Sequence, residues 1–174
     1  MTKQLDTPPL VDLTLLQRAL RTGCRVTGWP IGNAYFLDPA KELLEPVNAW
    51  SLPEAPWAQT FRYALSRTPI GKGQGIVGRA YIRRRPQWMP DATCDRDWPL
   101  SGLRTSPRIR AAVAVPVAVD DRVEAVLVFW SSRVQQQIDK GALALLSRIA
   151  RRLATRLRRT HDGTFLPSAP NAGG

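Results

Sequence analysis

Residues 71–130 read GKGQGIVGRAYIRRRPQWMPDATCDRDWPLSGLRTSPRIRAAVAVPVAVDDRVEAVLVFW, and this stretch decides the fold. The glycines at its start predict a tight turn into a short helix, and 86–91 predicts a short extended piece. A polar loop, 92–107, follows it. The stretch ends in two apolar strands, 109–117 and 123–130, joined by an aspartate-rich turn. Strand 109–117 is too apolar to be half exposed, so we expect it at the centre of a sheet.

Two further helices and two strands are predicted before this stretch. Leucines at spacings of three and four predict an amphipathic helix over 9–23 that ends at Gly23. Short strands at 34–37 and 43–50 follow it, and Pro53 opens the second helix.

The longest predicted helix, 135–159, follows the stretch. It carries an apolar seam at heptad-like spacing, formed by Leu143, Leu146, Ala150, Leu153 and Leu157. Hairpin-linked strands flanked by helices predict an α+β fold with an antiparallel sheet. We predict a flexible N-terminus at 1–8, one domain at 9–159 and a disordered tail at 160–174.

Composition excludes several classes of protein. The chain has 174 residues, 44% of them hydrophobic, which suits one domain with a single core. The N-terminus lacks the apolar run of a signal peptide, and the longest uncharged apolar stretch, 111–119, is half of a membrane span. We therefore expect a cytoplasmic protein.

Cys24 and Cys94 are too few and too far apart for a disulfide framework or a zinc site, so both are predicted to be reduced thiols.

The charge is strongly positive and unevenly placed. The net charge is +11, and 18 of the 25 Lys and Arg residues lie in 71–174. One basic cluster is Arg79 with 83–85, and another lies on the last helix: Arg148, Arg151, Arg152, Arg156, Arg158 and Arg159. The simplest interpretation of the second cluster is a solvated helix face. The alternative is docking on an acidic protein partner or on nucleic acid, through general electrostatic contact because no stacking aromatics are interleaved.

The sequence contains no motif that strongly indicates catalysis. Residues 73–78 match GxGxxG, but a helix precedes them and no parallel strand follows, so glycines that permit a tight turn are favoured over a dinucleotide site. His161 is the single histidine and lies beyond the last helix, which disfavours Ser-His or Cys-His catalysis. Asp91, Asp95 and Asp97 suit turn and capping roles, with Asp91 as the candidate to face a ligand.

Several segments in order resemble the motifs of GAF domains. They are Thr27-Gly28-Trp29-Pro30-Ile31-Gly32-Asn33-Ala34-Tyr35, Gly73-Gln74-Gly75-Ile76-Val77-Gly78-Arg79-Ala80, Pro86-Gln87-Trp88-Met89-Pro90-Asp91, Gly102-Leu103-Arg104, Ala114-Val115-Pro116-Val117 and Ala125-Val126-Leu127-Val128-Phe129. The likeness covers about 10–159 and extends to GAF modules of bacterial, notably cyanobacterial, sensor kinases. It implies a central antiparallel sheet of five or six strands with the N- and C-terminal helices packed on one side. It also implies a ligand pocket closed by the loop 92–107 and parallel dimerisation through the terminal helices.

The resemblance also narrows the range of possible ligands and activities. Bilin-binding members need a Cys-His pair in the pocket loop, whereas Cys94 is followed by Asp95, so a covalent bilin is disfavoured as a cofactor. No residue matches the set that binds cyclic nucleotides in other members, so a cyclic nucleotide is also disfavoured. Members that reduce free methionine sulfoxide use a cysteine where this chain has Val77, which counts against that activity. The pocket is predicted from Trp50, Trp88, Asp91, Cys94, Trp98, Arg104 and Val115.

Three functions remain in order of preference. The first is a stand-alone, non-catalytic GAF sensor or adaptor in signal transduction, which binds a small ligand or a partner such as a signalling kinase and acts through a homodimer of its terminal helices. The second is a basic protein with a purely structural pocket that docks on acidic protein or nucleic acid through Arg148, Arg152, Arg156 and Arg159. The third is a redox enzyme or thiol sensor that uses Cys94.

Overall fold

The computed structural model describes residues 13–95, 97 and 109–162. Its elements, in chain order, are α1 (Leu13–Thr27), β1 (Ile31–Asp38), β2 (Leu43–Ser51), α2 (Pro56–Leu65), β3 (Ile70–Gly71), α3 (Gly75–Arg83), β4 (Gln87–Met89), a 3₁₀ turn (Ala92–Cys94), β5 (Ala111–Val119), β6 (Arg122–Ser131) and α4 (Lys140–Asp162). The predicted flexible segment 1–8 lies outside the described residues. The predicted tail began at 160, but α4 continues to Asp162, and 163–174 lie outside the described residues.

The strands form one six-stranded antiparallel sheet in the order β3-β2-β1-β6-β5-β4. This confirms the α+β fold with five or six strands. Strands β5 and β6 are buried along almost their whole length because helices cover both faces of the sheet. Helices α1 and α4 pack side by side on one face, and α2 and α3 cover the other.

Two apolar cores result, one on each face of the sheet. We call the layer beneath α1 and α4 the helix core, and the layer beneath α2 and α3 the pocket core. Side chains alternate between them along each strand: Phe129 and Leu127 of β6 lie in the helix core, whereas Trp130 and Val128 lie in the pocket core.

Helix α1 does not end at Gly23, as predicted, but continues to Thr27. A Cβ atom at Gly23 would lie 2.2 Å from the Phe129 ring, so this glycine serves close packing against β6. The chain turns instead at Gly28, where φ is +70°. At the other end of the chain, α4 starts at Lys140 rather than at 135, because the Asp139 carboxylate accepts a hydrogen bond from Ala142 N and caps the first turn.

The apolar seams of the terminal helices are buried inside the domain. Leu16 and Leu20 of α1 are completely buried in the helix core. The α4 seam also lies there, with Leu146, Ala150, Leu153 and Leu157 at most 5% exposed. The periodicity that suggested a dimer seam therefore has an internal explanation, and the homodimer stays a prediction without that support.

Candidate functional site

The pocket core contains a small group of polar side chains on the two central strands. Asn33 and Tyr35 alternate along β1, and Trp130 belongs to the neighbouring strand β6. All three side chains are at most 1% exposed. The indole Nε1 of Trp130 donates a hydrogen bond to Asn33 Oδ1 at 2.7 Å. We call these three residues the polar cluster.

Two atoms of the polar cluster have no hydrogen-bond partner among the described residues: Asn33 Nδ2 and the Tyr35 hydroxyl. An indole N–H can only donate, so the Trp130 bond fixes the orientation of the Asn33 amide and leaves Nδ2 as the free donor. Burial raises the pKa of Tyr35 above its ordinary value, and the adjacent Asn33 side chain acts in the opposite direction. Tyr35 therefore remains a neutral phenol that can donate a hydrogen bond at physiological pH.

A cavity of about 10 Å³ lies beside Tyr35 and Trp130. The rest of its wall comes from the end of α2, from β3 and from the start of α3, through Leu65, Ile70, Gln74, Gly75, Ile76 and Val77. A void of this size holds about one water molecule. None of the described residues that line it is charged. The described wall of this cavity suits a small, uncharged group.

The helix α3 begins at the glycine-rich turn, which lies against β3. A Cβ atom at Gly78 would lie 2.3 Å from Gly71 O and 2.7 Å from Gly73 N. Only glycine allows the helix to approach the backbone this closely. Close approach therefore accounts for Gly78, and the positive φ angles of Gly73 and Gly75, +84° and +55°, account for the other two glycines of the GxGxxG pattern. The tight helix entry that the sequence indicated explains this pattern without a phosphate.

Two ion pairs hold the 3₁₀ turn beside the pocket core. Arg110 Nη2 lies 3.0 Å from Asp91 Oδ2, and Arg79 of α3 pairs with Asp95. The Arg110 guanidinium, together with hydrogen bonds from the Thr93 backbone and hydroxyl, lowers the pKa of Asp91 to about 2. Asp91 thus caps the 3₁₀ turn and pairs with Arg110, so its carboxylate already has hydrogen-bond partners within the domain.

The structure divides the predicted pocket residues between both faces of the sheet. Trp50 lies in the pocket core, 7% exposed. Trp88 and Val115 lie on the opposite face, against the helix core, where the Trp88 and Trp29 ring centroids are 5.7 Å apart. The reason is that successive side chains of a strand point to opposite faces of the sheet, so Met89 points into the pocket core and Trp88 points away from it. Trp98 and Arg104 lie outside the described residues.

The two cysteines occupy different environments. Cys94 is exposed at the end of the 3₁₀ turn. Cys24 is half-buried in α1, where burial raises its pKa and a hydrogen bond with Ser51 lowers it. Within the ranges 13–95, 97 and 109–162, no group of three His, Cys, Asp or Glu side chains is arranged to hold a metal ion.

The polar cluster was missed at the sequence level, although a signal for it exists. The predicted strand began at Ala34, three residues after the observed start of β1. With β1 extended to Ile31, the two-residue period places Ile31, Asn33 and Tyr35 on one buried face. An asparagine between two apolar residues on such a face is the pattern that would have identified the site.

A wider but open groove lies at the edge of the helix layer. Its volume is about 570 Å³, and it is lined mainly by 27–30 and by the segment between β6 and α4. None of the predicted pocket residues lines it. Its wall consists mainly of exposed and half-buried residues, so this groove lacks the enclosure typical of small-molecule sites.

A model of the GAF domain matches residues 14–158. The chain belongs to the GAF family. GAF domains are sensory and signalling modules. No curated protein matches the chain significantly.

Several solved structures share the GAF fold of this chain. The free methionine-R-sulfoxide reductase of Neisseria meningitidis in complex with its substrate is 21% identical, with a TM-score of 0.68 over 86% of this chain and 80% of that chain. The blue-light-absorbing form of the PixJ GAF domain of Thermosynechococcus elongatus is 20% identical, with a TM-score of 0.69 over 91% of this chain and 92% of that one. A GAF domain/HD domain protein of Geobacter sulfurreducens is 14% identical, with a TM-score of 0.69 over 87% and 95%. Identities this low show a common fold.

None of the described helices is both long enough and apolar enough to cross a bilayer.

Proposed function

We propose that this GAF domain is a non-catalytic sensor or adaptor whose pocket core binds a small, uncharged molecule. The ligand carries a hydrogen-bond acceptor that meets Asn33 Nδ2 and the Tyr35 hydroxyl. The terminal helices on the opposite face carry the response to a downstream partner.

The unsatisfied donors of the polar cluster are the observation that supports this proposal. A buried polar group without a partner costs about 1–3 kcal/mol, so native proteins rarely keep one. Here two such groups lie side by side, in a core layer that consists mainly of apolar side chains. A ligand acceptor placed between them satisfies both donors and removes that cost on binding.

The size of the cavity indicates that binding requires movement. Pockets for small molecules usually have volumes of about 300–1,000 Å³, far above the 10 Å³ seen here. Much of the cavity wall is the start of α3 and the end of α2. Displacement of α3 away from the sheet is therefore the opening motion that we propose.

The sheet offers a direct path from the pocket core to the terminal helices. Trp130 lies in the pocket core, and the next residue toward the start of β6, Phe129, lies in the helix core. The Phe129 ring packs directly beneath Gly23 of α1, where no side chain separates helix from sheet. A displacement of Trp130 by ligand consequently shifts the element against which α1 rests.

Native mass spectrometry with an absorbance spectrum of the purified protein tests the proposal. We expect a bound small molecule that is lost in Asn33→Ala and Tyr35→Phe but kept in Asn48→Ala, a control on the exposed part of β2. If no compound binds the purified protein, and a metabolite library gives no thermal shift that these two variants abolish, the sensor proposal fails.

A further inference from the structure

The outer surface formed by α1 and α4 is strongly basic. Helix α1 carries Arg18, Arg21 and Arg25 and no acidic residue. Helix α4 carries six arginines and a lysine, and its one acidic residue is Asp162 at the C-terminal end. Since the two helices pack against each other, their arginines share one face of the molecule. We call the exposed arginines Arg18, Arg21, Arg25, Arg148, Arg151, Arg152 and Arg156 the arginine face.

The described carboxylates of the domain do not pair with the arginine face. Elsewhere in the described residues, carboxylates pair with nearby cations, as in Glu42–Lys72, Asp91–Arg110 and Asp95–Arg79. None of these described ion pairs involves the arginine face. Arg158, near the end of α4, is the exception on these helices and pairs with Asp120 at 3.2 Å.

We propose that the arginine face binds the phosphate backbone of a nucleic-acid duplex, independently of base sequence. Arg148, Arg152 and Arg156 are four residues apart along α4, which places them in one row at intervals of about 6 Å. The α1 arginines form a second row, because packed helices lie about 8–10 Å apart. Two parallel rows of guanidinium groups match a line of phosphates that is repeated across a groove.

The arrangement works against the stability of the isolated domain. Like charges four residues apart on a helix repel one another, and Arg148, Arg152 and Arg156 form two such pairs in succession. The same repulsion disfavours a second copy of this chain on this face. A bound polyanion relieves this repulsion. Binding therefore accounts for the arrangement of these arginines, whereas the stability of the fold does not.

Other anionic partners fit less well. A protein interface usually contains buried aromatic anchors, and a membrane-bound helix needs a substantial apolar face. The large apolar side chains that α1 and α4 expose are Leu13 and Leu145, and no aromatic residue belongs to either helix. The same absence disfavours stacking on single-stranded bases. Arginine binds phosphate through a planar fork, which favours nucleic acid over a general anionic surface.

Fluorescence anisotropy with a labelled 24-base-pair duplex tests the proposal across a series of salt concentrations. Each phosphate contact contributes about −0.9 to the slope of log K against log salt. Replacement of Arg148, Arg152 and Arg156 by glutamine should weaken binding at least ~10-fold and reduce the slope by about 2 to 3. Lysine at the same three positions should preserve the slope, since it preserves the charge.

A matched control removes three arginines elsewhere: Arg67→Gln, Arg83→Gln and Arg85→Gln, near the ends of α2 and α3. This variant has the same net charge as the first triple variant, so it should bind the duplex almost as the unchanged protein does. The proposal is overturned if both triple variants lose equal affinity, or if the unchanged protein does not bind the duplex at 50 mM salt. It is also overturned if poly-glutamate or anionic vesicles bind as tightly as the duplex.

Discussion

Replacing Tyr35 by phenylalanine removes one oxygen atom from a side chain that is 0% exposed and whose hydroxyl has no partner among the described residues. Relief of an unsatisfied buried hydroxyl is worth about 1–3 kcal/mol. The void left by one oxygen atom, roughly 10 Å³, costs about 0.2 kcal/mol in return. We therefore expect the ligand-free protein to gain about 1 kcal/mol in free energy of unfolding.

Urea unfolding followed by tryptophan fluorescence measures this gain, with a parallel rise in Tm of about 2–4 °C for a domain of this size. Tyr63→Phe is the matched control, since Tyr63 is 65% exposed and should change stability by less than about 0.5 kcal/mol. If Tyr35→Phe instead destabilises the ligand-free protein by 1 kcal/mol or more, the hydroxyl has a partner in solution, such as a water molecule in the adjoining cavity, and the case for an unsatisfied ligand site is refuted.

The same substitution has a pH signature. Burial raises the pKa of Tyr35 in the folded state above the value of about 10 that it has when unfolded. Above pH 10 the unfolded chain therefore releases a proton that the folded domain retains, and stability falls as the pH rises further. Tyr35→Phe should lose this part of the alkaline decline.

Two further substitutions test the surroundings of the site. Gly78→Ala places a methyl group against backbone atoms that cannot move aside, so we expect a loss above about 3 kcal/mol in urea unfolding. Gly141→Ala is its control, because the new methyl group meets only the Asp139 side chain and should be tolerated within about 1 kcal/mol. Asp91→Asn should flatten the acid limb of the stability profile: the pKa of about 2 means that the Asp91 contribution is present above pH 4 and lost as the pH falls toward 2. Equal acid limbs in the two proteins, with Asp121→Asn as the exposed control, would refute that role.

The sequence alone predicted the class of fold and most of its elements. Apolar runs such as 111–119 and the two-residue hairpin turn between β5 and β6 depend on local chemistry, so an antiparallel sheet could be read from them. The order and spacing of the motifs also predicted the GAF family. Gly78 was assigned to tight packing from its context, and the structure confirms that assignment.

Errors arose wherever a residue serves a distant contact. Gly23 resembles a helix stop, yet α1 continues through it because the Phe129 ring occupies the space that a side chain would need. The leucine seam of α4 resembles a dimer interface, yet its own sheet covers it. Periodicity shows that a helix face is apolar but does not show what covers that face.

The site itself required the tertiary structure. Trp50, Trp88 and Val115 are all apolar strand residues, and which face each one takes depends on the register of its strand, since a shift of one residue exchanges the two faces. The polar cluster depends on Asn33 and Trp130, which are 97 residues apart and meet because β1 pairs with β6. The sequence thus determined that a sheet forms and which family it belongs to, because those follow from local pattern and motif order. Only the folded chain decided which donors remain unsatisfied between the sheet and α3, because that depends on contacts between distant segments.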